Sequence, residues 1–286
     1  MRVWTSALIA AAVVASTGAA AAPAEAGGSQ PAGPVLRVGG EVSSPAAYTA
    51  AQVAALPQTT VVLTVGGREV TDTGVLLETL VTDAVPAYPA SLLNTKNELL
   101  RVTVTVRGAR HDEVTFAVGE LDAGFGDHPA LLALTQDGHP ISRGPELVVP
   151  GDRTPVRSVP QVSSVTVGIA TAPATDTAPP AGSPVDIIDG RHVVTLSAAR
   201  LARLPEETLT VSFEGPGGVQ TDTETGPPLL DVLALAGIRP TLNTWVAAVG
   251  DDNYVATVTR PSSSWAGGRC SCPWRRTARC SPSRGS

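Results

Sequence analysis

Residues 99–167 read LLRVTVTVRGARHDEVTFAVGELDAGFGDHPALLALTQDGHPISRGPELVVPGDRTPVRSVPQVSSVTV. Leu100, Val102, Val104 and Val106 alternate with polar residues, and Val114, Phe116 and Val118 repeat the pattern. Val162, Val165 and Val167 close the stretch in a third run. Val- and Thr-rich segments of period two, bounded by Gly, Asp and Pro, predict half-buried strands. The short apolar run 128–134 lies between the second and third of them. After it, Gln136-Asp137-Gly138-His139-Pro140 predicts a turn through Gly138, a residue that accepts positive φ without a Cβ clash. The segment RGPELVVPGD follows at 143–152.

Working outward, residues 35–42 predict a strand interrupted by a Gly pair. Residues 48–57 predict a short helix with Thr49 as N-cap, Val53 and Leu56 inward and Pro57 as its stop. Residues 59–65 form a β-rich run. Residues 71–81 are expected to turn into a helix with Leu76, Leu77 and Leu80 on one face. The chain then begins again. Residues 196–205 repeat 48–57 at an offset of 148, and residues 209–213 repeat the strand that follows. Residues 223–233 echo 71–80, and 245–258 supply two further β-rich runs. Self-similarity of this kind predicts a tandem duplication of about 150 residues. The segment TAPATDTAPPAGS at 171–183, rich in Pro, Ala and Thr and without apolar period, predicts an extended linker.

These elements, in this order and at this spacing, resemble the oxidoreductase molybdopterin-binding domain, the fold of the molybdenum domain of sulfite oxidases. The resemblance rests on the strand pair 100–118, LLALTQDGHP at 131–140, GPELVVPGD at 144–152 and the closing strand at 162–167. It implies an α+β fold, mostly β, in two tandem copies. A plain tandem of immunoglobulin-like domains would also use many short Val/Thr strands, but two short helices per repeat and the GPELVVPGD turn fit it less well. The resemblance also implies molybdopterin as cofactor and a cysteine thiolate on the metal at the end of a strand, because a soft metal centre takes a thiolate well. This sequence has Thr64-Val65-Gly66-Gly67-Arg68 at that place, Phe213-Glu214-Gly215 at its second occurrence, and no cysteine from 1 to 269.

No other metal or nucleophile pattern replaces it. His111, His128, His139 and His192 are scattered without an i, i+4 pair and are expected to be solvated loop residues. No GxSxG elbow is present, and Gly215-Pro216-Gly217-Gly218 lacks the Lys and Ser/Thr of a phosphate cradle. No metal ligands and no catalytic residues are assigned. One anion-binding reading remains. Arg68, Arg107, Arg143, Arg153 and Arg157 lie in or beside the segments that build the pterin pocket in the resembled family, and guanidinium forks suit phosphate. Arg68, Arg107, Arg143 and Arg157 are the expected cofactor-binding set. The alternative is that these arginines only solvate loops, and Glu146, in GPEL, would repel a phosphate.

The ends of the chain carry separate signals. Met1-Arg2-Val3-Trp4, an Ala-rich apolar run at 7–15 and A-x-A sites up to Ala26 predict a secretory signal peptide, too short to be a spanning anchor. Residues 261–286 hold five Arg and no acid, so residues 1–260 carry −11 of the overall −6. An acidic body does not suit nucleic acid, whose binding is driven by neutralising phosphates. Cys270, Cys272 and Cys280, odd in number and without CxxC spacing, do not make a metal site. The abrupt change of composition near Arg260, where the second repeat is still incomplete, is expected of a reading-frame shift in GC-rich DNA; resequencing tests it.

The expected organisation is therefore a signal peptide at 1–26, a flexible leader at 27–34 and a first molybdopterin-binding-like domain at 35–169. A linker at 170–183, a second, incomplete repeat at 184–260 and an Arg/Cys/Ser-rich tail at 261–286 complete it. The expected function is a secreted molybdopterin-dependent oxidoreductase-like protein that lacks the metal-ligating thiolate. The alternative is a secreted, non-catalytic binding module for a pterin or other small ligand, a cell-wall component or a protein partner.

Overall fold

In a computed structural model of the chain, the residues described are 33–92, 97–152, 155–171, 182–215, 218–249 and 254–259. The expected signal peptide, most of the leader and linker, Arg153, the three cysteines and the tail lie outside them. Among the described residues no helix is long and apolar enough to cross a membrane.

The fold is α+β and mostly β. Its first elements are β1 (Leu36–Gly40), β2 (Ala46–Tyr48), α1 (Ala50–Ala54), β3 (Thr59–Val65), β4 (Arg68–Leu76) and α2 (Leu77–Ala84). They are followed by β5 (Val102–Gly108), β6 (Glu113–Ala117), α3 (Val118–Leu121), β7 (Leu131–Gln136), β8 (His139–Pro140), β9 (Glu146–Val148) and β10 (Val162–Ile169). Two five-stranded sheets result. One has the order β2-β1-β10-β5-β6; the other runs β3-β4-β7-β8, with β9 also paired to β7. In the first sheet β10 is parallel to β1 and antiparallel to β5. The period-two alternation explains this centre. Val102, Val104, Val106, Val114, Phe116, Val165 and Val167 point into one cluster with Val75, Leu132 and Leu147 of the other sheet and Leu77, Leu80 and Val81 of α2.

Local signals act as elementary stereochemistry requires. Thr49 caps α1 in a capping box with Gln52, whose side chain accepts from the Thr49 N–H at 2.8 Å. Gly138, at φ +78, turns β7 into β8. Gly66 and Gly67 join β3 to β4 with φ of +59 and +81, the paired positive values of a two-residue hairpin turn.

One expectation is corrected. Residues 71–76 are strand, and the helix begins only at Leu77. Thr-Asp-Thr-Gly has turn composition, yet β4 is held on both sides, by β3 through Asp72 opposite Val61 and by β7 through Leu76 opposite Leu131. Leu76 consequently packs with Leu131, Ala133 and Val148 on the far face of that sheet, not with Leu77 and Leu80 in the main core.

The remaining elements are β11 (Val185–Asp189), β12 (His192–Leu196), α4 (Ala198–Leu201), β13 (Glu207–Gly215), β14 (Gly218–Gly226), α5 (Leu229–Leu235), β15 (Trp245–Val249) and β16 (Val255–Thr259). They make three separate two-stranded sheets. Ile187, Leu196, Leu229, Val232 and Leu233 form a second apolar cluster, joined by Val185, Val246 and Val258. The last hairpin meets the first half of the chain. Thr115 N–H donates to Leu242 O at 2.9 Å, and the Thr257 hydroxyl donates to Leu100 O at 2.8 Å.

Candidate functional site

The most concentrated group of ionisable side chains lies where α3, the loops around β7 and β9, and β16 converge. Glu120 comes from α3, a single turn. His128 precedes β7, Asp152 follows β9 and Arg157 ends the 3-10 turn Pro155–Arg157. His128 is held in place by its own backbone, whose N–H donates to Glu120 O at 3.0 Å. Asp127, at φ +48, and Gly151, at φ +91, bend the two loops toward each other. A Cβ on Gly151 would stand 3.3 Å from His128 Nε2, so the close approach needs glycine there.

Arg157 is 1% exposed and the Phe116 ring lies beneath it, 5.2 Å from Cζ to centroid. Its Nε donates to Asp152 Oδ2 at 2.9 Å, Nη2 to Asp152 Oδ1 at 2.8 Å and Nη1 to Glu120 Oε1 at 2.6 Å. His128 Nε2 donates to Pro150 O at 2.8 Å, since a carbonyl only accepts. Its Nδ1 lies 3.2 Å from Glu120 Oε1 and 3.4 Å from Arg157 Nη2. A protonated ring donates there to Glu120; a neutral ring accepts there from Arg157. The Thr259 hydroxyl donates to the other oxygen of Glu120 at 3.3 Å. Burial pushes the Glu120 carboxyl up, but the hydrogen bonds of His128 and Arg157 and the Arg157 charge more than offset this and hold it below its ordinary value. Burial likewise lowers the Arg157 pKa, and the two carboxylates raise it by more, so the guanidinium stays charged.

The histidine expectation is therefore corrected at one position. His128 is 5% exposed and embedded in charge, whereas His111, His139 and His192 are exposed. Arg157 lies at the centre of the same cluster, with every guanidinium nitrogen directed at a protein group. The other three arginines of the expected set are placed separately. Arg68, exposed at the start of β4, donates to Asp137 Oδ2 at 2.8 Å and so ties the β3–β4 tip to the β7–β8 turn. Arg107 on β5 donates its Nε to Glu113 Oε2 at 2.9 Å and holds the Glu113 carboxyl below its ordinary value. Arg143 is exposed in the turn before β9. Each of Arg68, Arg107 and Arg157 answers a different carboxylate, and no shared phosphate cradle is formed by them.

The segment at which the sequence resemblance implies a thiolate is the β3–β4 tip. Thr64 lies opposite Glu69 and Val65 opposite Arg68, and both are exposed, Val65 to 54%. Neither side chain can ligate a soft metal, and no histidine stands in the hairpin. Among the described residues no group of three His, Cys, Asp or Glu is placed to hold a metal ion. The residues present do not fit a thiolate-ligated molybdenum centre.

A second acidic feature was not visible in the sequence. Asp72 on β4 is 1% exposed; Gln136 donates to its Oδ1 at 3.0 Å, and its Oδ2 has no hydrogen-bond partner among the described residues. Burial raises the carboxyl pKa, with repulsion from Asp137 adding to it. Glu146 on β9 is raised by burial and by Asp72. A shallow groove of about 380 Å³ over β1, β2 and β10, with Arg37, Pro45 and Ser164 among its walls, completes the surface features.

No family model matches the chain, and no curated protein does. Among solved structures, the chain is similar to the sulfane dehydrogenase SoxCD from Paracoccus pantotrophus, at 16% identity and a TM-score of 0.37. The match covers 65% of this chain and 58% of that one, so the chain spans less than two thirds of the protein it matches.

Proposed function

We propose that this chain is a secreted, non-catalytic binding module built on a molybdopterin-oxidoreductase-like fold in two tandem copies, the second incomplete. The observation that carries this reading is the β3–β4 tip. A two-glycine turn with exposed Thr64 and Val65 stands where the sequence resemblance implies a metal-bound thiolate. The arginine cluster supports it. A phosphate entering beside Arg157 would have to displace Asp152 and Glu120, and it would meet two carboxylates against one guanidinium. Such a scaffold binds through its loops and sheet edges.

Molybdenum, tungsten and oxidised-pterin analysis of the full chain, purified from its own host, tests the reading. The expected result is neither metal nor pterin. Near-stoichiometric metal with pterin would overturn it, and replacement of Arg143 and Arg157 by Ala would then show whether those residues hold the group.

A further inference from the structure

β3, seven residues long, ends its sheet and is paired among the described residues on one side only, to β4. The register fixes which main-chain groups face the open side. The turn at Gly66-Gly67 makes Val65 and Arg68 a hydrogen-bonded pair, so Leu63, Val61 and Thr59 bond to β4 in alternation with it. Thr60, Val62 and Thr64 therefore direct their N–H and C=O groups away from β4. Thr71, opposite Val62, shows the same parity. It donates its N–H to Asp137 Oδ1 at 2.9 Å and accepts from the Asp137 N–H at 2.7 Å, both on the β7 side. Among the described residues no group bonds the main chain of Thr60, Val62 or Thr64.

This edge has none of the features that keep sheet edges apart. TTVVLTV carries no charge and no Pro, and its ladder with β4 runs without a register shift. Val62 and Val65 are 62% and 54% exposed. β14, at nine residues, differs: it carries Asp222 and Glu224 in mid-strand, and two copies paired there would gather their carboxylates together.

We propose that β3 is a homodimer interface, in which two copies join their β3 edges antiparallel about a two-fold axis through Val62 and form one continuous sheet. The strand's own sequence selects a second copy as the partner, because a two-fold interface must be self-complementary. Around Val62 it reads nearly the same in both directions. Thr60 meets the partner's Thr64, Val61 meets the partner's Leu63, and Val62 meets the partner's Val62. Each of Thr60, Val62 and Thr64 then donates and accepts one main-chain hydrogen bond across the axis. On the far face of the sheet Val61 and Leu63 pack with Leu131, Ala133 and Val148, and the partner's Leu63 and Val61 prolong that apolar strip. On the opposite face the two Val62 side chains cover each other. A contact one strand wide is small, so the pair is weak and concentration-dependent. The dimer does not depend on the binding-module reading.

Sedimentation equilibrium of the full chain, from micromolar to millimolar, tests the proposal. A reductant keeps Cys270, Cys272 and Cys280 from cross-linking copies. A reversible monomer–dimer equilibrium is expected, with Kd raised at least tenfold by V62P and by V62K while the circular dichroism of the parent is kept. Pro removes a central N–H that β4 does not use, which an edge strand tolerates; Lys sets like charges against each other on the axis. Amide exchange of the parent needs no variant. As concentration rises, Thr60, Val62 and Thr64 should slow, whereas Val61 and Leu63, already bonded to β4, should not change. If V62P does not fold, V62K and the exchange pattern decide. A monomer across the whole range, a dimer that V62K leaves intact, or protection without that alternation would overturn the proposal. So would a monomer whose Thr60, Val62 and Thr64 amides are protected at every concentration, which would assign the edge to a different occupant.

Discussion

Arg157 engages both carboxylate oxygens of Asp152, through Nε at 2.9 Å and Nη2 at 2.8 Å, with both side chains almost fully buried. A parallel fork of this kind is the strongest form of a charge-assisted pair. It joins the loop after β9 to the turn before β10, and Glu120 extends it to α3. Removing the Asp152 charge leaves the buried Arg157 to Glu120 alone; breaking a buried pair costs about 3–5 kcal/mol, and the remaining carboxylate places this case at the lower end. Asp152→Asn is expected to lower stability by that order in urea unfolding. A loss below ~1 kcal/mol would show that the pair is solvated, as exposed pairs are.

The pH dependence has two opposing parts. Asp72 and Glu146 are raised in the fold, so the folded chain binds their protons more tightly than the unfolded one. Their contribution is present below the ordinary carboxylate range near 4 and is lost as pH rises through the raised values. Glu120 is lowered, and its contribution runs the other way, present above its unfolded value and lost on acidification. Asp72→Asn removes the Asp72 share of the first part. Its stability should exceed that of the parent at neutral pH, because the amide fills the same site without a charge to desolvate. The advantage should shrink as pH falls toward about 4, the ordinary carboxylate value. A difference that is flat with pH would contradict the assignment.

Gly74 lies where the β4–β7 register shifts, and a Cβ on it would stand 2.0 Å from Leu132 O, a backbone atom. Gly74→Ala is expected to cost more than about 3 kcal/mol, the upper range for overpacking, because neither strand can yield. Circular dichroism melting reads this; a variant that melts with the parent would show that the register relaxes there.

Isolated two-stranded sheets are marginal in water. Limited proteolysis is therefore expected to cut first within residues 182–226, leaving a fragment of the 33–171 region. Simultaneous loss of both regions would mean that the chain opens as one cooperative unit.

The strands were legible where apolar and polar residues alternate, at β5 and β6, and at β10 despite the register shift after Val162. The Thr49 cap and the Gly138 turn were legible for equally local reasons. β4 was not, since Thr71-Asp72-Thr73-Gly74 has loop composition and is a strand only because β3 and β7 flank it. The Glu120, His128, Asp152 and Arg157 cluster was illegible in the same way. It draws on four separate segments, and a lone His beside Asp127 looks like a solvated turn. The arginine set was found by resemblance, but the carboxylates that occupy Arg157 are visible only in space.

Native mass spectrometry of the full chain, purified from its own host, tests the central claim most directly, because it weighs whatever the protein carries. The account requires the mass of the polypeptide without a pterin–metal adduct. An increment equal to a metal-bearing pterin, lost on denaturation, would contradict it.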